Sequence, residues 1–146
     1  MRVSAVFAAS ASATQCTYPG GNCYELNMQT CQGSSTFTLH GLWPEWANEC
    51  SGTALDVNAL SSIRSDLEKY WLSCPEFGSD NETFWSHEWE KHGTCSGMGQ
   101  LEFFQKGLAL RQQYVSKCSG GSTCTVCFDK TLTTLETCPG SEGVMV

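Results

Sequence analysis

The chain has 146 residues, ten of them cysteines, and a formal net charge of −7 from 15 acidic against 8 basic side chains. A pI near 4.8 excludes a protein that grips polyanions through a broad basic face; a nucleic acid would have to meet a few cations inside a cleft. No stretch approaches the roughly 20 apolar residues of a membrane span. An even, well-spread set of cysteines in so short a chain implies about five disulfides and an oxidising compartment.

Residues 1–15, Arg2 followed by VSAVFAASASA, have the charged start, short apolar run and small residues of a weak signal peptide or an altered start. A single domain is expected over residues 16–146. Residues 16–35 read as loop, with Pro19, Gly20, Gly21 and Gly33 among three cysteines. STFTLHGLW then alternates, Phe37 and Leu39 on one face and Thr36, Thr38 and His40 on the other. This is a half-buried strand that turns His40 away from the core and stops at Pro44.

From Asp56 to Leu72 the apolar residues Val57, Leu60, Ile63, Leu67 and Trp71 recur at helical spacing, and one helix is expected. A second is expected from Glu82 to His92, closed by Gly93, and a third from Leu101 to Val115. TCTVCFDK reads as a strand and the tail as loop. Cys124 and Cys127 form a C-x-x-C with no second pair or histidine nearby to complete a zinc site, so both are read as disulfide cysteines. Asn81-Glu82-Thr83 is a glycosylation sequon, which favours a secreted surface. Strands and helices without a βαβ rhythm indicate an α+β fold.

The chemistry concentrates in FWSHEWEKHGTC, Phe84 to Cys95, which holds two of the three histidines. On a helix, with His87 at zero, Lys91 falls near 40°, Glu88 near 100° and His92 near 140°. Four ionisable side chains therefore share one sector, as the pairs His87/Lys91 and Glu88/His92. Most charge runs are solvated faces, but Phe84, Trp85 and Trp89 leave this helix little polar surface to spare. If either histidine is a core residue, His87 is the better candidate. HEWEKH resembles the zinc-protease HExxH with one residue too many, and histidines five apart diverge by about 140°, which disfavours chelation.

Without metal, two histidines, a lysine and a carboxylate suit cleavage of an RNA phosphodiester. One group must take the 2′-OH proton, another must protonate the leaving 5′-oxygen, and cations must meet the charge gathering on phosphorus. Histidine serves either proton role because its ordinary pKa of about 6.5 allows both forms near working pH. DNA, lacking the 2′-OH, would not be cut.

HGLWPE, His40 to Glu45, and FWSHEWEKHGTC resemble the two active-site segments of the ribonuclease T2 family, in order and at a suitable distance. KYWLSC, FFQKGLALRQQY and VCFDK are similar to other stretches of that family, so the resemblance runs from about Cys16 to Cys138. It implies an α+β fold with an antiparallel sheet packed against helices and stabilised by disulfides. It also implies an endoribonuclease acting on single-stranded RNA through 2′,3′-cyclic phosphates to 3′-phosphates, with no cofactor and no metal. By resemblance, His92 is the general base and His40 the general acid. His87 binds phosphate, and Glu88 and Lys91 stabilise the transition state. Trp43 lines the site, while Glu45 and Trp46 are weaker candidates for contacting a base, with ordinary packing an equal alternative for Trp46. The family pattern pairs Cys50 with Cys95 and Cys127 with Cys138. A secreted or vacuolar–lysosomal monomer is expected, with a catalytically impaired RNA-binding or effector protein on the same fold as the alternative.

The chain also departs from the family. The usual opening strand and its Gln-Trp-Pro-like segment are replaced by MRVSAVFAASASATQCTYPGG, and Tyr114 to Thr123 is much shorter than usual. An incomplete sheet and an altered second base site are expected from these changes.

Overall fold

The computed structural model describes residues 16–139; the expected signal segment lies outside them. Four antiparallel strands form an open sheet in the order β2-β1-β3-β4. They are β1, Cys23–Thr30; β2, Phe37–Pro44; β3, Thr123–Asp129; and the two-residue β4, Leu135–Glu136. Three helices follow β2: α1, Arg64–Tyr70; α2, Asn81–Lys91; and α3, Gln100–Tyr114.

Strand β1 corrects the expectation of loop over residues 16–35. Tyr24, Leu26 and Met28 are buried and alternate with the half-buried Glu25 and Asn27, the period-2 pattern of a strand with one core face. It is the central strand on which β2 and β3 both pair. The expected helix from Asp56 to Leu72 is two pieces, a 3-10 turn over Val57–Ile63 and then α1. The first apolar residues, Val57, Leu60 and Ile63, are three apart, which suits a turn of three residues; Leu67 and Trp71 are four apart and suit an α-helix. Helices α2 and α3 lie within a residue of their expected bounds. Gly93 is no left-handed cap: it opens a short 3-10 turn, and a side chain there would collide with the Trp89 ring.

The core lies between one face of the sheet and the helices. Leu26, Met28, Leu39, Leu42 and Phe128 meet Leu60, Leu67, Trp71, Trp85, Phe103 and Phe104, all essentially inaccessible to water. Burying side chains of this size contributes about 1.5–3 kcal/mol each. Arg111 of α3 donates from Nε and Nη2 to the Phe37 carbonyl at 2.9 and 2.7 Å and lies 4.3 Å over the Tyr70 ring. It thereby pins the start of β2. No helix among the described residues is long and apolar enough to cross a membrane.

Five disulfides join Cys16–Cys23, Cys31–Cys74, Cys50–Cys95, Cys118–Cys124 and Cys127–Cys138. The two C-x-x-C cysteines thus both lie in β3 and bond to different partners. Cys118–Cys124 closes the short connection between α3 and β3. Asn81 is half-buried at the start of α2, and its Oδ1 accepts the Ser73 N–H at 2.8 Å.

Cys50–Cys95 fastens the segment after β2 to the end of α2 across 45 residues. The Glu49 N–H to Lys91 carbonyl bond, 2.8 Å, and the Trp89 Nε1 to Thr53 carbonyl bond, 2.9 Å, reinforce it. Replacing both cysteines by serine is expected to cost about 2–4 kcal/mol in denaturant unfolding. An unchanged midpoint would mean that these hydrogen bonds hold the segment alone.

Candidate active site

His40 reaches the site through an irregularity in β2. Asn27 pairs with Gly41, but the next residue, Met28, pairs with Leu39, so His40 is the extra residue of a β-bulge. Strict alternation would place Leu39, Gly41 and Trp43 on one face and His40 with Leu42 on the other. The bulge instead sends Leu39 and Leu42 into the core and leaves His40 and Trp43 together outside it. Their rings meet edge to face at 5.0 Å. The His40 carbonyl accepts the Trp71 Nε1–H at 3.0 Å, so the residue ending α1 secures the bulge.

The second half comes from α2. Asp80 caps it, its Oδ1 accepting the Thr83 N–H at 2.8 Å. Trp85 Nε1 donates to the Trp71 carbonyl at 2.6 Å, and the core holds Trp85 and Trp89 on the inner side. Glu88 lies between these indoles and β2, 1% exposed. Its Oε2 accepts the Trp43 Nε1–H at 2.9 Å and its Oε1 lies 3.8 Å from His40 Nε2. Lys91 and His92 occupy the last positions, half-buried, and the His92 ring stacks on Trp43 at 5.2 Å and 26°. Trp43 therefore touches both imidazoles. A side chain at Gly41 would collide with the Trp43 indole nitrogen and with Glu88 Oε2, so the bulge needs glycine there.

Burial dominates the electrostatics. It pushes the Glu88 carboxyl up to about 7, against the lowering pull of the Trp43 hydrogen bond and Lys91. It drives His92 down to about 3, helped by the positive charges of Lys91, His87 and His40. The buried Nδ1 of His92 has no hydrogen-bond partner among the described residues, so an imidazolium there is poorly supported. His40 is also lowered, by burial first and then by His87 and Lys91. Burial and neighbouring positive charge thus shift both histidines toward the neutral form in the free protein.

The structure brings His40, Trp43, Glu88, Lys91 and His92 together. His87, the better core candidate by sequence, is exposed on the outer rim of α2, and His92 is the more enclosed. The helical sector gave the direction of each side chain but not how deep the neighbouring strand would bury it. Glu45 is buried and lines a cleft of about 280 Å3 beside Trp43, together with Tyr18, Glu25, Lys91 and His92. Trp46 does not line it: its ring packs edge-on against Tyr24 at 4.9 Å, with Lys130 over it at 4.4 Å. Sequence reasoning missed Gly41, Trp71 and Glu25. The first two were visible only as residues of recognisable segments, and Glu25 belongs to the strand read as loop.

Confinement of Glu88 has a measurable consequence. The folded protein holds the Glu88 proton up to about pH 7, against an ordinary value of 4.5. Its stabilising contribution is therefore complete below pH 4.5 and lost as pH rises through 7, a difference of about 3 kcal/mol. In denaturant unfolding, Glu88→Gln is expected to match the wild type at acid pH and to exceed it by about that amount above pH 7. Equal stabilities in both ranges would mean that the carboxylate is not confined as described.

The Ribonuclease T2 family model matches residues 9–120. Ribonuclease 3 of Arabidopsis thaliana is 39% identical over 108 residues, covering 67% of this chain and 44% of that protein. Ribonuclease Rh of Rhizopus niveus is 36% identical over 138 residues, covering 72% and 56%. Among solved structures, human RNase T2 superposes with a TM-score of 0.67 at 17% identity, over 80% of this chain and 89% of that one. The chain spans about half the length, or less, of the curated relatives it matches. With its two histidine segments on a bulged strand and a facing helix, inside a fold shared with solved T2 ribonucleases, the chain belongs to the ribonuclease T2 family.

Proposed function

We propose that this protein is a metal-independent endoribonuclease cutting single-stranded RNA by transphosphorylation. The observation that carries this reading is the pair of imidazoles from two different elements, both against Trp43, with a lysine and a buried carboxylate between the elements. His92 takes the 2′-OH proton, O2′ attacks phosphorus, and His40 protonates the departing 5′-oxygen, leaving a 2′,3′-cyclic phosphate. In the second step His40 removes a proton from water and His92 returns one to O2′, giving a 3′-phosphate. His87 and Lys91 meet the phosphate, and Lys91 with Glu88 stabilises the charge gathered on it. Trp43 touches both imidazoles, edge to face with His40 and stacked on His92. Five disulfides support a secretory or vacuolar setting.

A bound phosphate also corrects the free site's weakness as a base. Lys91 and His87 help depress both histidines, and a phosphate dianion or monoanion against them cancels that charge, raising each imidazole toward working pH. The base must be neutral and the acid charged. In the free enzyme kcat/KM should therefore rise as pH passes about 3, where His92 loses its proton, and fall as His40 loses its own below the ordinary 6.5. The limbs of kcat should lie at higher pH than those of kcat/KM. Activity still climbing above neutrality would exclude the two-histidine scheme.

The direct test is cleavage of a defined RNA in EDTA with end-group analysis. Cyclic phosphate ends are expected from the wild type, with losses of about 10²–10⁴ in His92→Ala and His40→Ala. An all-DNA substrate should remain intact. Cleavage that requires a divalent cation, or that survives His92→Ala, would overturn the proposal.

A further inference from the structure

The cleft beside Trp43 contains more negative charge than phosphodiester cleavage needs. Glu25 stands directly across the β1–β2 ladder from Trp43, and residues so paired project from the same face of the sheet. Glu45 follows Trp43 by two residues and so is diagonal to Glu25. Both carboxyls line the same cleft as His92 and Lys91. Glu45 is held by its own N–H to the Cys23 carbonyl, 3.0 Å, by the Gly21 N–H to its carbonyl, 3.0 Å, and by the Tyr18 amide to its carboxylate. Glu25 Oε1 accepts from Asn27 Nδ2 at 3.3 Å. Burial raises both groups, Glu45 to about 6 with Glu25 adding to the shift.

A pair of carboxylates repels phosphate, so this wall faces some other part of the substrate. The proposed chemistry places a ribose 2′-OH at His92, and the base on that same ribose then falls on the His92 side of Trp43, into this cleft. Ionised carboxylates only accept hydrogen bonds. Guanine offers two adjacent donors, N1–H and the N2 amino group; adenine and cytosine offer an amino group beside a ring acceptor. Uracil sets carbonyl oxygens on both sides of its one N–H. We propose that Glu25 is a specificity-determining residue which, with Glu45, forms a two-carboxylate wall favouring guanine and rejecting uracil at the base 5′ to the scissile bond. This rests on the catalytic reading for the position of the base.

The test compares affinities of guanosine 3′-monophosphate and uridine 3′-monophosphate for the wild type and Glu25→Gln by calorimetry at about pH 7.5, a measurement that needs no turnover. The wild type should bind the guanosine nucleotide about tenfold more tightly or better, and the variant should lose about tenfold of that ratio, chiefly by gaining affinity for uridine. Because the ratio is taken on one preparation, a general loss of folded protein does not mimic the effect. Equal binding of both nucleotides by the wild type, or an unchanged ratio in the variant, would overturn the proposal. Discrimination in binding by a protein that cleaves no RNA would leave the carboxylate wall standing while sinking the catalytic reading.

Discussion

The hydrogen bond from the Trp43 indole to the buried Glu88 carboxylate is the interaction on which the site depends. It joins the strand that carries one imidazole to the helix that carries the other two, at 2.9 Å, with Glu88 itself almost inaccessible to water. Each nearby constraint serves it. The β-bulge turns Trp43 to the same side as His40, Gly41 clears the space between indole and carboxylate, and Trp71 fixes the bulge by its bond to the His40 carbonyl. A buried carboxylate so paired costs stability at neutral pH, because the charged form is taken out of water for a single strong hydrogen bond. That is a sacrifice of stability for a positioned group, of the kind commonly concentrated at functional sites.

The acidity of the whole chain and the cation content of the site are consistent with one another. A protein with net charge −7 does not gather polyanions at long range, so under the proposed reading phosphate is met only locally, by the few cations at this site. Disulfides then do at the periphery what a larger core would otherwise do. Cys50–Cys95 in particular ties the segment after Trp43 to the turn that ends α2, so the strand and helix halves of the site are covalently registered.

How much of this was legible in the sequence depended on whether a feature was local. Helices α2 and α3 lie within a residue of the bounds read from the sequence, and Asp80 caps the start of α2. Strand β1 carries an equally clear alternation at Tyr24, Leu26 and Met28, but the flanking glycines, Pro19 and cysteines read more strongly as loop. The break at Ile63 lies where a three-residue apolar spacing gives way to a four-residue one, and both spacings also fit the single helix expected over Asp56 to Leu72. The bulge at His40 exists only in the pairing of β1 with β2, and no property of HGLW alone reveals it. For the same reason the wheel put His87, Glu88, Lys91 and His92 on one side without distinguishing the exposed His87 from the buried Glu88. Depth is a property of the neighbour, not of the helix.

The protonation of the enclosed His92 follows directly from its confinement between strand and helix. Following the imidazole resonances of the three histidines by NMR as a function of pH in the free protein would measure it directly. His92 should titrate near 3 and His40 below 6.5, with His92 moving upward when phosphate is added. A His92 that titrates at or above 6.5 without ligand would contradict its confinement against Trp43, and with it the proposed division of acid and base between strand and helix.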